Sequence, residues 1–374
     1  MIKNFKDIFD TYEFQDIEKS IYSKTEKDVE IALTKKSLDL EDFKALVSPS
    51  AKVYLKTMIE MSNRFTKERF GNTIQMYIPM YLSNECQNIC TYCGFSMNVN
   101  IERKTLSEAE IIEEISMIKK MGYQHIVLLT GESNRTVGME YFRRVIPLVK
   151  SHFSNISMEV QPLKEVEYRE LIDLGVNTIL IYQETYNRSR YKSHHPKGRK
   201  SNFDYRLETC DRLGRAGIHK IGLGVLIGLE DWRTDSFLCA MHLQYLERVY
   251  WKTRYSISFP RLKPCASQIP IKSVISEGEL IQLICAYRIF NREVELSIST
   301  RERAAFRDVL IKTGITSASA ESKTNPGGYS KGKEDSLEQF SISDHRSTDK
   351  FTEMIREQGY EPVFKDWDSV LQIN

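Results

Sequence analysis

Three cysteines lie within a run of eight residues, at Cys86, Cys90 and Cys93, in the spacing C-x3-C-x2-C with Tyr92 directly before the third. Three closely spaced thiolates can hold three corners of a cubane iron–sulfur cluster. A cluster that only carries electrons usually takes four protein thiolates. A triad therefore leaves one iron without a protein ligand, free to bind a small chelating molecule. The sequence predicts a [4Fe–4S] cluster with an open coordination site.

A structural zinc site is the alternative for these cysteines. Zinc in structural sites takes four closed ligands, usually from paired knuckles, and the sequence has no second knuckle. The other cysteines are single and scattered, so we interpret them as small buried hydrophobic residues: Cys210, Cys239, Cys265 and Cys285. Clustered thiols of this kind belong to a reducing compartment.

The chain has 374 residues, enough for one large barrel or two domains. Its 53 Lys and Arg are interleaved with 51 Asp and Glu, which argues against a dedicated nucleic-acid or anionic-membrane surface. No apolar run approaches the ~20 residues of a membrane span. The first residues carry charges where a signal peptide needs an apolar run. We therefore expect a soluble, cytoplasmic protein with neither a membrane nor a nucleic-acid partner.

Strand-like and helix-like segments alternate through the middle of the chain. Residues 1–70 read as a helical extension, and residues 320–374 as a loop followed by a helical tail. Between them, at 71–319, short β-prone segments are separated by amphipathic ones, with a capping-box start at Ser107. Alternation without hairpin signals means a parallel sheet, and about eight repeats favour an α/β fold closed as a (β/α)8 barrel. The predicted strands are 74–82, 125–130, 156–160, 178–183, 220–226, 254–259, 294–299 and 315–318.

Polar residues follow the predicted strands one after another. In a barrel of this kind the chemistry gathers at the carboxyl ends of the strands. A packing requirement alone does not explain polar groups at six successive ends, so we take them as candidate site residues: Thr130, Gly131, Glu132, Glu159, Gln161, Gln183, Glu184, Gly228, Arg261, Ser299, Thr300 and Arg301.

Two arginines, Arg261 and Arg301, end neighbouring strands. A guanidinium grips a carboxylate through two hydrogen bonds, so the pair, with Ser299 and Thr300 beside it, predicts a pocket for the carboxylate of an amino acid. The glycines near Gly228 are spaced G-x-G-x3-G, but the acidic partner of a dinucleotide site is missing. The sequence therefore does not predict a dinucleotide site. We interpret residues 194–200 as a solvated loop.

The cysteine spacing resembles that of the radical S-adenosylmethionine (SAM) superfamily. More closely, the chain resembles the tyrosine lyases of thiamine biosynthesis, the 2-iminoacetate synthase or ThiH family. The similar segments occur in order along nearly the whole chain: RFGNT (69–73), YLSN (81–84), CGFSM (93–97), RKTL (103–106), MEVQP (158–162), YQETY (182–186), DRLGRAG (211–217), STRE (299–302) and KDWD (365–368).

The resemblance implies a radical SAM barrel that cleaves the Cα–Cβ bond of L-tyrosine to 2-iminoacetate (dehydroglycine) and 4-cresol. It implies a [4Fe–4S] cluster and SAM as cofactors, a flavodoxin- or ferredoxin-type electron donor, and delivery of the product to the thiazole synthase ThiG. The biotin-and-thiamine-synthesis-associated region would begin near residue 237. The residues it implies for cofactor binding are Tyr92, Thr130, Gly131, Glu132, Glu159, Gln161, Gln183, Glu184, Arg206 and Gly228.

Three alternatives remain open at the level of sequence. The hydrogenase maturase HydG begins with the same tyrosine cleavage, but that family carries a second cysteine triad, and no cysteine follows Cys285 here. A tryptophan lyase of the same superfamily would differ mainly in pocket shape. A non-catalytic iron–sulfur electron carrier would need no pocket at all. The segment 317–334, rich in Ser, Gly and Lys, predicts a surface loop at the barrel mouth that could meet the thiazole synthase.

Overall fold

Eight parallel strands close into a barrel in the computed structural model, which describes residues 4–263, 272–331 and 338–366. Closure is complete because β1 pairs with both β2 and β8, for example Met80 with Leu128 and Met76 with Ala318. The strands are β1 Thr73–Ser83, β2 His125–Thr130, β3 Asn155–Glu159, β4 Thr178–Leu180, β5 Lys220–Gly224, β6 Arg254–Ser258, β7 Glu295–Ile298 and β8 Ser317–Ser319. The predicted fold class is confirmed.

The eight strands fall where the sequence predicts them, and the second matches residue for residue. The fourth is shorter than predicted, ending at Leu180. Its backbone continues alongside β5, since Gln183 N–H donates to the Gly224 carbonyl at 3.2 Å. Glu184 then takes a left-handed conformation with φ 69°, which ends the extended run and points the chain toward the barrel mouth.

The helices surround the barrel and precede it. They are α1 Phe5–Phe9, α2 Phe14–Tyr22, α3 Glu26–Thr34, α4 Leu40–Val47, α5 Leu55–Phe70, α6 Glu108–Lys120, α7 Met139–Lys150, α8 Glu165–Leu174, α9 Arg188–His194, α10 Phe203–Leu207, α11 Thr209–Ala216, α12 Trp232–Val249, α13 Glu277–Phe290, α14 Ala304–Leu310 and α15 Thr348–Glu357. The predicted capping box at the start of α6 is present, because Ser107 and Glu110 each satisfy the other's backbone N–H.

The N-terminal helices form the predicted extension, which packs on the outside of the barrel against α12 and α13. Phe5 of α1 stacks on His242 of α12 with ring centroids 3.8 Å apart. The amide of Gln282 on α13 donates to the carbonyls of Leu46 and Ser48 at the end of α4. These contacts hold the extension to the helical shell.

The C-terminal segment contains a strand in addition to the predicted helical tail. After α15 a ninth strand, β9 Glu361–Val363, adds in parallel to the start of β1, and the sequence analysis did not predict it. Pro362 is tolerated there because β9 is an edge strand. The tryptophan expected beyond it, Trp367, lies outside the described residues.

A buried ion pair fixes residues 338–344 across the barrel mouth. The Arg307 guanidinium donates to the Asp344 carboxylate at 2.6 Å and to the Ser319 carbonyl, and both charged side chains are 1% exposed. The backbone N–H groups of Ser343 and Asp344 both donate to the Thr300 carbonyl. This segment is therefore tied to the ends of β7 and β8.

Among the described residues, no helix combines the length and apolar character needed to cross a bilayer.

Candidate active site

A single cavity at the carboxyl ends of the strands gathers most of the predicted site residues. They come from the cysteine loop and from the ends of β2, β3, β4 and β7. The predicted residues lining it are Cys86, Cys90, Tyr92, Cys93, Thr130, Gly131, Glu132, Glu159, Glu184, Arg206, Ser299, Thr300 and Arg301. Gln161, Gln183, Gly228 and Arg261 do not line it.

The cysteine loop follows β1 directly and is held by one arginine. The Arg103 guanidinium donates to four backbone carbonyls, those of Asn84, Phe95, Ser96 and Val99, at 2.8–3.1 Å. These residues flank the triad on both sides. A planar group with five donors in a fixed fork suits this task. These four hydrogen bonds fix the backbone on both sides of the triad.

The three thiols face the cavity together, and the surroundings leave them room. Gly131 packs against the loop so closely that a Cβ there would sit 2.2 Å from the Glu85 carbonyl oxygen. Burial raises the pKa of Cys93 to about 11 and also raises that of Cys86, so a cation must ionise them. Iron does this on coordination. The donor set fits a cluster bound through three thiolates.

Residues 194–200, interpreted above as a solvated loop, pack through their backbone on the cysteine loop, and that interpretation is wrong for His195 and Lys200, whereas Lys197 and Arg199 are exposed. His195 is buried, and its Nε2 lies 2.7 Å from the Tyr92 hydroxyl while its Nδ1 lies 2.7 Å from the Tyr191 carbonyl. Because only a ring N–H can bond that carbonyl, Nε2 accepts the tyrosine proton. Lys200 continues into the cavity.

Two acidic and two basic groups form a paired set beside the thiols. Arg206 lies 3.0 Å from Glu132 and 3.5 Å from Glu184, and Lys200 donates to Glu184 at 2.7 Å. Burial would raise the pKa of Glu184, but Lys200 and Arg206 outweigh it and hold that pKa below its ordinary value. Glu132 is also tied to the cysteine loop through Asn88 at 2.8 Å. The set is charged and rigid.

Glu159 differs from the other two acids of the cavity. Within the part of the chain that the structure describes, it has neither an ion pair nor a hydrogen bond through its carboxylate. Burial, followed by the charge of Glu184, raises its pKa to about 7, against the opposing effect of Arg301, Lys200 and Arg206. A carboxyl group with this pKa can accept a proton near neutrality.

Arg301 also faces the cavity without a carboxylate partner among the described residues. Its guanidinium carbon lies 3.3 Å from the centroid of the Phe340 ring, and one nitrogen donates to the Arg261 carbonyl at 3.3 Å. Burial lowers its pKa, and the nearby Tyr81 and Glu159 act in the opposite direction. The remaining donors can receive an anion.

Arg261, predicted as the second substrate arginine, is engaged elsewhere. Its guanidinium pairs with both oxygens of Glu302, whose side chain is 1% exposed, and donates to the Ile275 carbonyl at 3.3 Å. The carboxylate that this arginine grips belongs to the protein. The prediction of Arg261 as a substrate residue is wrong because Glu302 occupies its guanidinium.

Three residues expected to bind the cofactor do not line the cavity. Side chains alternate along an extended chain, so Gln183 lies on the opposite side from Tyr182 and Glu184, which do line it. Gln161 donates to the Val137 carbonyl at 2.9 Å and lines a smaller neighbouring cavity. The Gly228 carbonyl accepts from the Lys272 backbone N–H.

Sequence reasoning missed a group that reaches the cavity from the far end of the chain. Gln339 Nε2 lies 3.8 Å from Cys93 Sγ, its Oε1 accepts from the Tyr81 hydroxyl at 2.8 Å, and its carbonyl accepts from Gly94 N–H at 3.1 Å. Phe340 follows beneath Arg301. No local pattern marks these residues, because only the docking of residues 338–344 brings them over the mouth.

The prediction of a surface loop at 317–334 is wrong for residues 317–331, the part of it that the structure describes. Thr324 and Asn325 are 2–3% exposed, and the Tyr329 hydroxyl donates to the Pro79 carbonyl at 2.8 Å. Lys331 is exposed and paired with Glu110 at 2.7 Å. Lys333 lies outside the described residues. The described part closes the barrel and offers no free loop to a partner.

A closed parallel barrel with three thiols spaced C-x3-C-x2-C at its mouth defines a radical SAM enzyme, whose cofactors are a [4Fe–4S] cluster and SAM. Consistent with this, residues 80–238 match the radical SAM superfamily, and residues 258–361 match the biotin and thiamin synthesis associated domain. The fold is also that of the FeFe-hydrogenase maturase HydG from Carboxydothermus hydrogenoformans, with a TM-score of 0.90 at 29% identity, over 97% of this chain and 86% of that one.

Sequence comparison narrows the class. The chain is 50% identical to the 2-iminoacetate synthase of Escherichia coli (strain K12) and 49% identical to that of Salmonella typhimurium, in each case over 99% of this chain and 98% of the relative. The chain belongs to the 2-iminoacetate synthase family. The resemblance drawn from sequence is confirmed, and the electron-carrier alternative is set aside because the family is one of lyases. The predicted domain limits stay predictions.

Proposed function

We propose that this enzyme cleaves the Cα–Cβ bond of L-tyrosine, giving 2-iminoacetate for the thiazole moiety of thiamine and 4-cresol. The observation that carries the proposal is the union, in one cavity, of three thiols, a paired acidic and basic set, and an arginine and a carboxyl group without partners. An electron carrier needs the thiols, but it needs neither the paired set nor this arginine and carboxyl group.

Cys86, Cys90 and Cys93 would hold the cluster, leaving its fourth iron to SAM. The paired set of Glu132, Glu184, Arg206 and Lys200 lies beside the thiols, with charges of both signs for the ammonium and carboxylate of SAM. Thr130 adds a buried hydroxyl with no hydrogen bond to the described protein atoms. When bound, the two cofactors supply a 5′-deoxyadenosyl radical that removes a hydrogen atom from the substrate.

Tyrosine would lie on the other side of the cavity, with its carboxylate on Arg301 and its ammonium on Glu159. Ser299 and Thr300 line the same side. A bidentate carboxylate–guanidinium contact fixes the backbone end of the substrate in one orientation. The carboxylate oxygen of Glu159 can also take the ammonium proton, because burial has raised the pKa of this group. A neutral amine is then presented for hydrogen abstraction.

Residues 338–340 would keep water out of the reaction space. Phe340 covers one face of Arg301, and Gln339 spans from Cys93 to Tyr81. Removing water strengthens each polar contact inside the cavity and protects the radical from side reactions.

Two partners and a compartment belong to the same proposal. 2-Iminoacetate is an imine that hydrolyses in water, so direct transfer to a thiazole synthase is favoured. A flavodoxin- or ferredoxin-type protein would supply the electron. Both partners place the enzyme in the cytoplasm, where clustered thiols stay reduced.

The test is an anaerobic assay of the reconstituted enzyme with SAM, dithionite and either tyrosine or tryptophan. We expect cresol from tyrosine and no methylindole from tryptophan. Cys90→Ala should abolish 5′-deoxyadenosine formation, whereas Cys239→Ala, a buried thiol away from the cavity, should not. Methylindole as the main product, or equal loss from the two substitutions, would overturn the proposal.

A further inference from the structure

A basic surface lies on the outer face of the cysteine loop. Residues 188–200 contain six Lys or Arg and no Asp or Glu, in a chain whose net charge is only +2. Three of the six are paired: Arg188 with Asp10 and Asp204, Arg190 with Glu230, and Lys200 with Glu184. The other three have no ion pair within the described ranges and are exposed, namely Lys192, Lys197 and Arg199.

This surface is joined to the cysteine loop by backbone contacts. Ile89 N–H donates to the Lys197 carbonyl at 2.9 Å, and Thr91 N–H donates to the His194 carbonyl at 3.1 Å. Gly198 packs on Asn88 so tightly that a Cβ there would sit 2.2 Å from Asn88 Oδ1. These contacts fall on both sides of Cys90. The exposed charges therefore lie on a segment that is bonded directly to the loop that carries the thiols.

An exposed apolar side chain borders the same surface. Met97 is 41% exposed, and its N–H donates to the Asn88 carbonyl at 2.8 Å, one residue from the position that binds Lys197. We call Met97, Lys192, Lys197 and Arg199 the basic patch. A flexible apolar residue near exposed cations is suited to a protein partner with an acidic surface.

We propose that the basic patch is the docking site of an acidic one-electron protein carrier, which passes its electron through the cysteine loop to the cluster. The inference rests on the proposed function, since SAM cleavage consumes one electron from outside. The carrier loses that electron and the cluster gains it. Electron transfer slows steeply with distance, so the carrier must bind close to the thiols, and the segment that carries the patch is bonded to Ile89 and Thr91, the two neighbours of Cys90. The other side of the loop faces the closed cavity.

The experiment uses flavodoxin as the probe and a double charge reversal, Lys197→Glu with Arg199→Glu. The control reverses two exposed, unpaired lysines elsewhere, Lys52→Glu with Lys252→Glu, and changes the net charge equally. The affinity of oxidised flavodoxin is measured by calorimetry on cluster-loaded and cluster-free protein at several salt concentrations. Cresol formation is measured with reduced flavodoxin and, separately, with dithionite.

We expect the patch variant to bind flavodoxin roughly tenfold or more weakly, with a flatter salt dependence, and the control to bind like the native protein. Cresol formation should fall with flavodoxin and stay unchanged with dithionite. Flavodoxin affinity within twofold of native would overturn the proposal.

Loss of the dithionite reaction would mean that the reversal disturbs the cluster loop. The milder pair Lys197→Gln with Arg199→Gln then decides: if it also loses the dithionite reaction, the proposal is rejected. If the native enzyme makes no cresol with dithionite, the proposed function fails. The flavodoxin affinities still report on the patch independently.

Discussion

Arg301→Lys is the substitution that most directly tests how the enzyme holds its substrate. The native guanidinium is oriented by the Arg261 carbonyl and by Phe340, which leaves its other donors for the substrate carboxylate. Lysine keeps the charge but loses the second parallel hydrogen bond and the flat face. One charge-assisted hydrogen bond in a desolvated site contributes about 1.5–3 kcal/mol. Each 1.4 kcal/mol is a factor of ten, so the tyrosine concentration for half-maximal cresol formation should rise roughly tenfold to a hundredfold.

The assay is cresol formation against tyrosine concentration under dithionite, with 5′-deoxyadenosine formation in the absence of tyrosine as a readout of the SAM site. The rate of 5′-deoxyadenosine formation without tyrosine should stay close to that of the native enzyme. Arg261→Lys is the matched control, since Arg261 contacts Glu302 and leaves the cavity alone. It should lower the melting temperature, by weakening a buried pair, and change the tyrosine dependence less than twofold. An unchanged tyrosine dependence for Arg301→Lys would remove this residue from the pocket.

Two further substitutions probe the cavity. Because the folded-state pKa of Glu159 is raised to about 7, its contribution to stability is complete below its ordinary pKa of 4.5 and is lost as pH rises toward 7. Glu159→Gln should therefore stabilise the protein at pH 8, by roughly 3 kcal/mol at most, and change little at pH 4.5; equal effects at both pH values in chemical denaturation would contradict this pKa. Gly131→Ala places a Cβ against the Glu85 carbonyl and should cut iron incorporation on reconstitution, whereas normal iron content would show that the cysteine loop tolerates the shift.

The sequence was sufficient for the barrel because local pattern and global fold agree there. Each strand is a short apolar segment bounded by a helix with its own caps, and such alternation has few solutions. β9 was not predicted because its local sequence pattern does not indicate a strand. Glu361–Val363 contains a proline and only three paired residues, and it becomes a strand because β1 extends far enough at its start to receive it.

The site was predictable wherever a residue is fixed by its position along a strand. Cys86, Glu132 and Arg301 each follow a strand closely, so the barrel alone carries them to the mouth. The prediction that Gln183 binds the cofactor was wrong because a shift of one residue along an extended chain changes the side that a side chain faces. The prediction for Arg261 was wrong because its pairing with the buried carboxylate of Glu302 cannot be recognised from the sequence.

Residues 338–344 contact both halves of the candidate site. Gln339 contacts Cys93 on the cluster side, while the next residue, Phe340, lies under Arg301 on the substrate side. Both are held in place from behind by the pair of Arg307 and Asp344, and the Asp344 N–H is bonded to the same Thr300 that lines the pocket. A displacement of this segment would therefore open the cavity to water and loosen Arg301, the arginine that we propose binds the substrate. Such coupling suits a reaction in which a radical must form only when the substrate is seated, because closure over the substrate and completion of the cluster's surroundings depend on the same two residues.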